Sequence, residues 1–313
     1  MQEADFSTRV SYDYTLCGWR TRSDIPLTGV PPSVPAGESV DVLIRVVPGR
    51  SPVAEDGGGS VREHSGKYSV IRIDGIADFE VIRGRQIQVW PAARAMHKDI
   101  EIFLFGPVWA TLCHQRGILP LHASAIVNGG GITAFVGHSG VGKSTIAAQL
   151  NSVDYELVTD DILPVSFNRS SLPGAWPYLR RLKLRSDSII ELALTPTEPV
   201  GETLDKEKFF VRPKSAGDDK WSRIERLYVL EVNQTSSRVS IDRISGAEAV
   251  RALVEQTYHF EFIHKSGSYR AHLANCIQLA SKVATYRVRR ARSFGGGIEL
   301  RSVISAHLKN APT

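Results

Sequence analysis

From Tyr12 to about Pro91 the chain alternates apolar and polar residues in short runs: YDYTLCGWR, DVLIRVV, KYSVIRID, and the pair ADFEVIR and QIQVW on either side of Gly84. A period of two sends successive side chains to opposite faces, so these runs predict half-buried strands and a β-rich N-terminal module over residues 1–97. Between the second and third runs lies PGRSPVAEDGGGSVREHSG, whose glycine, proline and charge predict an exposed, mobile loop. From Lys98 to Arg116 the spacing changes. Ile100, Phe103, Leu104, Val108 and Leu112 recur three and four residues apart, which predicts a connecting helix over 98–118.

Residues 119–313 read as alternating strands and helices. HASAIV and ITAFVG flank an Asn-Gly-Gly-Gly turn that fits a hairpin. STIAAQL has helix-forming composition, and YELVTDDILPV reads as a buried strand carrying two carboxylates. RLYVLEV follows as a strand, SGAEAVRALVEQTY as an amphipathic helix with Ser245 at its N-cap, HLANCIQLASKVA as a further helix, and YRVRR as a strand. The expected fold is mixed α/β, with a P-loop catalytic domain over 119–313.

A chain of 313 residues, 42% apolar, can bury a large core. Acidic residues precede any apolar run and no stretch approaches eighteen unbroken apolar residues, so neither a signal peptide nor a membrane span is expected, and the cytoplasm is the expected location. Cys17, Cys113 and Cys276 are far apart and form no C-x-x-C pair, which argues against zinc and against a disulfide framework. The net charge of +5 is mild and mostly interspersed with acidic residues. Its densest cluster, Arg287, Arg289, Arg290 and Arg292, lacks the aromatic interleaving used to stack bases, so no nucleic-acid partner is expected and a solvated or phosphate-facing strand face is.

The sharpest chemistry lies at Gly137 to Ser144, GHSGVGKS, which fits G-x-x-x-x-G-K-[ST] in full between a predicted strand and a predicted helix. Glycines let backbone N–H groups converge on phosphates, and the helix start adds its positive end. The nucleotide-binding set is Gly137, His138, Ser139, Gly140, Val141, Gly142, Lys143, Ser144 and Thr145, with Lys143 reaching the β- and γ-phosphates and Ser144 ligating magnesium. ATP and Mg2+ are the expected cofactors.

Asp160 and Asp161 end the next predicted strand, which a parallel sheet would deliver beside the loop. One carboxylate can hold magnesium and the other can accept the proton of an incoming hydroxyl. Neighbours on a regular strand face opposite ways, so either the strand ends there or only one of the two acts. His122, the first residue of HASAIV, could lie beside the pair and adjust its protonation, although a lone histidine at a strand start is usually structural. Downstream, Arg180, Arg181, Lys183 and Arg185, then Lys206, Lys208, Arg212 and Lys214, are candidate cations for a transferring phosphoryl group.

Taken together, LHASAIV, GHSGVGKST, LVTDD, PYLRRLKL, the SGAEAVRALVEQTY helix, YRVRR and the opening YDYTLCGWRTRSDIPL resemble the HPr serine kinase/phosphorylase family, and more closely its HPr-kinase-like relatives associated with lasso-peptide biosynthesis. The resemblance implies a core similar to that of nucleotide-dependent phosphoenolpyruvate carboxykinases. It also implies Lys143 and Ser144 for nucleotide and metal, Asp160 and Asp161 as base and metal ligand, and His122 as their neighbour. It further implies a homo-oligomer and, as acceptor, a serine on a small protein or peptide. The glycine-rich LEIRGLGI-type segment of the bifunctional enzymes has no counterpart after the aspartates, where PYLRRLKL stands, so the resemblance stops short of HPr itself and of phosphorolysis. Two other readings stay open: a kinase of free serine or another small hydroxyl compound, and a nucleotide-controlled binding protein that transfers nothing.

Overall fold

The computed structural model describes residues 10–33, 39–49, 51, 61–127, 130–201, 207–233, 238–258, 260, 263, 267–290 and 296–310. The chain divides into two compact units, the first made of 1–118, 199–206 and 259–272 and the second of 119–198, 207–258 and 273–313.

In the first unit seven strands, β1 (Tyr12–Leu16), β2 (Trp19–Ser23), β3 (Val42–Val46), β4 (Val61–Ser65), β5 (Tyr68–Ile73), β6 (Ala77–Ile82) and β7 (Gln86–Pro91), form one sheet in the order β1-β2-β3-β7-β6-β5-β4. YDYTLCGWR is a hairpin and not a single run. Cys17 and Gly18, at φ 56° and 73°, make the two-residue turn whose twist suits paired strands. The expected loop after Val46 is also corrected, because Val61–Ser65 pairs antiparallel with β5; residues 50 and 52–60 of that stretch lie outside the described residues.

The single helix expected over 98–118 is broken. His97–Phe103 and Trp109–Gln115 are α-helical, with a π turn, Leu104–Val108, between them. Pro107 has no N–H to give and Gly106 leaves helical geometry, so a continuous ladder cannot pass. The apolar stripe still faces inward, with Ile100, Leu104, Val108 and Leu112 fully buried. Gln115 ties the helix end to the sheet of the same unit by accepting from Gly84 N and donating to Ser69 Oγ and Val81 O.

The second unit holds β8 (Leu119–Val127), β9 (Ile132–Val136), β10 (Glu156–Thr159), β11 (Ile162–Phe167), β12 (Pro173–Ala175), β13 (Leu182–Arg185), β14 (Pro196–Pro199), β15 (Lys208–Val211), β16 (Ser222–Val232), β17 (Ser240–Ile244) and β18 (Ala284–Arg290). Its main sheet is mixed: β16 runs parallel to β9 and β18, while β8 is antiparallel to β9, β10 and β11. The reason lies in the hairpin. β9 turns back on β8, and the helix Lys143–Asn151 carries the chain over β8 to its far side, so β10 meets an antiparallel neighbour. A smaller sheet, β13-β15-β14, stands apart.

Side-chain parity gives the main sheet two cores. Ala123, Ala125, Ala134, Val136, Leu227 and Val229 face one layer with the helices Gly246–Glu255 and Tyr269–Lys282. Ile126, Phe135, Tyr228 and Leu230 face the other, with Ile146, Ala147 and Leu150 of the loop helix, Leu182, Leu184 and Val211 of the small sheet, and Leu300 and Ile304 of the helix Gly296–Asn310. Ser245 stands at the start of Gly246–Glu255 as expected, but its side chain makes no capping bond. In the arginine cluster, Arg287 pairs with Glu231 and Glu248, and Arg289 with Asp242 and Glu231; Arg292 lies outside the described residues.

The far end of the loop helix is fixed by Asn151, buried to 3% exposure, which donates to Tyr155 O and Ser215 O and accepts from Lys214 N at 2.6–2.8 Å. Asn151→Leu keeps the side-chain bulk and removes all three bonds. We expect a loss of about 2 kcal/mol of unfolding free energy, read as a lower midpoint in urea denaturation; an unchanged midpoint would mean the helix is anchored elsewhere.

Candidate active site at the glycine-rich loop

β9 is buried along its whole length and runs directly into Gly137. Three glycines take positive φ in the loop: Gly137 at 148°, Gly140 at 79° and Gly142 at 102°. At Gly137 a Cβ would stand 2.6 Å from Leu230 O and 2.9 Å from Val141 Cγ1, so glycine is required by space as well as by backbone angle. The helix begins at Lys143, leaving its first N–H groups free to face a ligand. His138, Ser139 and Gly140 are exposed at the tip. Val141 O accepts from the Arg290 guanidinium at 2.9 Å, which fixes the outer side of the loop.

Lys143 folds back under this loop, donating to Gly137 O at 2.7 Å and His138 O at 3.2 Å. Burial pushes its ammonium down to about 8, against the pull of Asp160 and Asp161. The Ser144 hydroxyl donates to Asp160 Oδ1 at 2.8 Å. Thr145 turns away and shares a hydrogen bond with Ser188 Oγ at 3.2 Å.

The two aspartates interrupt what would otherwise be one strand. β10 and β11 lie end to end along β8, paired Thr159 with Ala125 and Ile162 with His122, and Asp160–Asp161 form the break between them. Asp161 has φ 86°, a left-handed conformation that is uncommon outside glycine. Strand alternation is thereby broken, and both carboxylates reach the same lysine. Lys183 donates from its backbone N to Asp160 Oδ2 and from Nζ to Asp161 Oδ2, each at 2.8 Å.

His122 and Ser124 are two apart on β8, so they share a face, and the break in the neighbouring strand lies opposite them. Ser124 donates to Asp160 Oδ1 at 2.5 Å, and His122 Nε2 lies 3.5 Å from Asp161 Oδ1. The His122 ring meets Tyr258 edge to face. Burial, reinforced by the Lys143 charge, pushes His122 down to about 4 although Asp161 opposes this, so the imidazole is neutral near pH 7. Burial raises the pKa of both carboxyls. For Asp160 that effect wins over its hydrogen bonds, while for Asp161 the adjacent Lys183 charge outweighs it and the pKa falls.

Of the basic residues singled out in the sequence, Lys183 and Lys208 act on this cluster, Lys208 through its charge on Asp161 and His122. Arg180 pairs with Asp219 and Gly217 O, Arg181 stacks on Phe210, Arg185 pairs with Glu207, and Lys214 donates to Ser152 O. Lys206 lies outside the described residues. Ser124 and Arg290 were not singled out for this site. Ser124 could have been found by counting back two from Ile126 on a strand already read as buried; Arg290 stood in the basic YRVRR run, but nothing local ties it to the loop.

Among the described residues no three His, Cys, Asp or Glu side chains gather as a self-contained metal site. Magnesium does not need one, since it takes one or two carboxylates and completes its shell with substrate oxygens and water. Ser144 Oγ and Asp160 Oδ1, hard oxygens already in contact, fit that requirement.

No protein-family model matches the chain, and no curated protein does. Among solved structures, the HPr(Ser) kinase/phosphatase from Coxiella burnetii is similar over 61% of this chain and 90% of its own length, at 10% sequence identity and a TM-score of 0.29.

Proposed function

We propose that this chain is a phosphotransferase that moves the γ-phosphoryl group of ATP to a serine-type hydroxyl on a small protein or peptide, a lasso-peptide precursor being one such acceptor. The observation that carries the reading is the contact of Ser144 with Asp160 at the foot of the glycine-rich loop, with Asp161 turned aside beside it. A hydroxyl and a buried carboxylate at a helix start suit a metal-bound phosphate chain, and a second, separately oriented carboxylate suits the acceptor.

The loop N–H groups and Lys143 bind the phosphates, with the Lys143 ammonium exchanging the carbonyls of Gly137 and His138 for phosphate oxygens. Ser144 and Asp160 would hold magnesium, which when bound neutralises phosphate charge. Asp161 accepts the hydroxyl proton as that oxygen bonds to the γ-phosphorus and the bond from the γ-phosphorus to the β-bridging oxygen breaks, releasing ADP. His122, neutral and packed against Tyr258, keeps Asp161 oriented without adding charge. The second unit therefore carries the transfer chemistry, and Ser124 holds Asp160 from behind.

Incubation with magnesium and γ-labelled ATP, alone and with serine-containing precursor peptides, HPr and free serine, tests the reading: label should pass to a peptide or protein acceptor. Label on free serine alone would move the acceptor class to small molecules, and saturable nucleotide binding without any transfer would favour a nucleotide-controlled binding protein. Asp161→Asn should lower transfer about a hundredfold or more while leaving nucleotide affinity nearly unchanged. Full transfer in that variant would remove the carboxylate base. Gly137→Ala should abolish nucleotide binding, measured by titration calorimetry, because the new methyl group overlaps the backbone of Leu230.

A further inference from the structure

Lys183 contacts the aspartate pair from two directions, and only one of those contacts depends on its side chain. Its backbone N–H holds Asp160, while its ammonium, on a side chain only 14% exposed, holds Asp161. Strand parity explains the placement. On β13, Leu182 and Leu184 enter the core shared with the loop helix, and Lys183 and Arg185 take the opposite face. In the register of β13 with β15, Arg185 stands opposite Lys208, so Lys183, Arg185 and Lys208 belong to one face of the small sheet. Arg185 is paired with Glu207, and Lys183 and Lys208 are the cations of this face that act on Asp161.

A carboxylate that is to accept a proton from a hydroxyl is poorly served by an ammonium 2.8 Å away. The ammonium needs another anion when the site fills. The transferring phosphoryl group is the natural one, because Asp160, fixed by the backbone of the same residue, is in contact with Ser144 at the start of the loop helix. Transfer enzymes of this chemistry commonly place cations on the group in flight.

We propose that Lys183 is a γ-phosphate ligand: its ammonium leaves Asp161 for the terminal phosphate of a bound nucleoside triphosphate and so distinguishes triphosphate from diphosphate. This deepens the phosphotransferase reading and rests on it. Lys143, inside the loop, serves both nucleotides; Lys183, reaching in from the small sheet, serves the terminal phosphate alone.

Titration calorimetry with magnesium and either ADP or the non-hydrolysable β,γ-imido analogue of ATP tests this on the full chain. In Lys183→Met the backbone bond to Asp160 is kept. Affinity for the analogue should fall about tenfold or more, as one charge-assisted contact implies, and affinity for ADP should stay within about twofold. Lys183→Arg should retain part of the preference for the analogue. Equal loss of both nucleotides in Lys183→Met, or loss of neither, overturns the assignment while the phosphotransferase reading stands. Failure of the unaltered chain to bind either nucleotide overturns both.

Discussion

Asp160 is 1% exposed, and three elements donate to it: Ser124 from β8, Ser144 from the first turn of the loop helix, and the Lys183 backbone from β13. A carboxylate at that depth is stable only with such donors around it, since desolvation otherwise costs several kcal/mol. The requirement acts in both directions. The donors keep the anion in place, and the anion fixes the spacing of strand, helix start and small sheet. Moving any one of them by an ångström would leave a buried polar group without its partner. The glycine-rich loop is thus held at its C-terminal end by a single charge, while Arg290 holds its outer side through Val141 O.

Asp161 follows at the cost of an uncommon backbone. An L-residue in the left-handed region gives up roughly 1–2 kcal/mol, and residues in such conformations cluster where the surrounding structure needs them. Here the need is geometric. A regular strand would have sent Asp161 to the face opposite Asp160, into the apolar layer of Ala123 and Ala125. The turn at φ 86° brings it instead to Lys183 and His122. The neutrality of His122, set first by burial and then by the charge of Lys143, Lys183 and Lys208, fits the same economy of charge.

What could be read from the residues follows the range of the interactions. The loop was legible because its glycines, lysine and serine act within eight positions, and the strand and helix on either side carry their own periodicity. The aspartates were legible as a pair, and their orientation was not, because a backbone angle at one non-glycine residue leaves no trace in composition. The place of the aspartate strand in the sheet was not legible for a related reason: a strand–loop–helix–strand unit looks the same whether the next strand pairs with β9 or crosses to the far side of its hairpin partner. Arg290 acts across 149 positions and Ser124 across 36, so their roles came from the fold. The connecting helix failed at Gly106-Pro107, two residues that the apolar spacing passed over although proline is among the surest interruptions.

The polar groups of the site are balanced by one another. Lys143 is satisfied by the loop carbonyls, Lys183 by Asp161, and Ser144 by Asp160. Each of these contacts is one that a metal-bound triphosphate would replace with a contact of the same kind: phosphate oxygens for the carbonyls and for Asp161, and a cation between Ser144 and Asp160. Groups paired in this way need not be gathered when the ligand arrives, only exchanged, so the ordering entropy has already been met by the fold. The corresponding constraint falls on the ligand. It must offer enough negative charge, at the right places, to displace every one of these internal partners, and under the proposed reading a terminal phosphate would do so where a shorter nucleotide would leave Lys183 on Asp161.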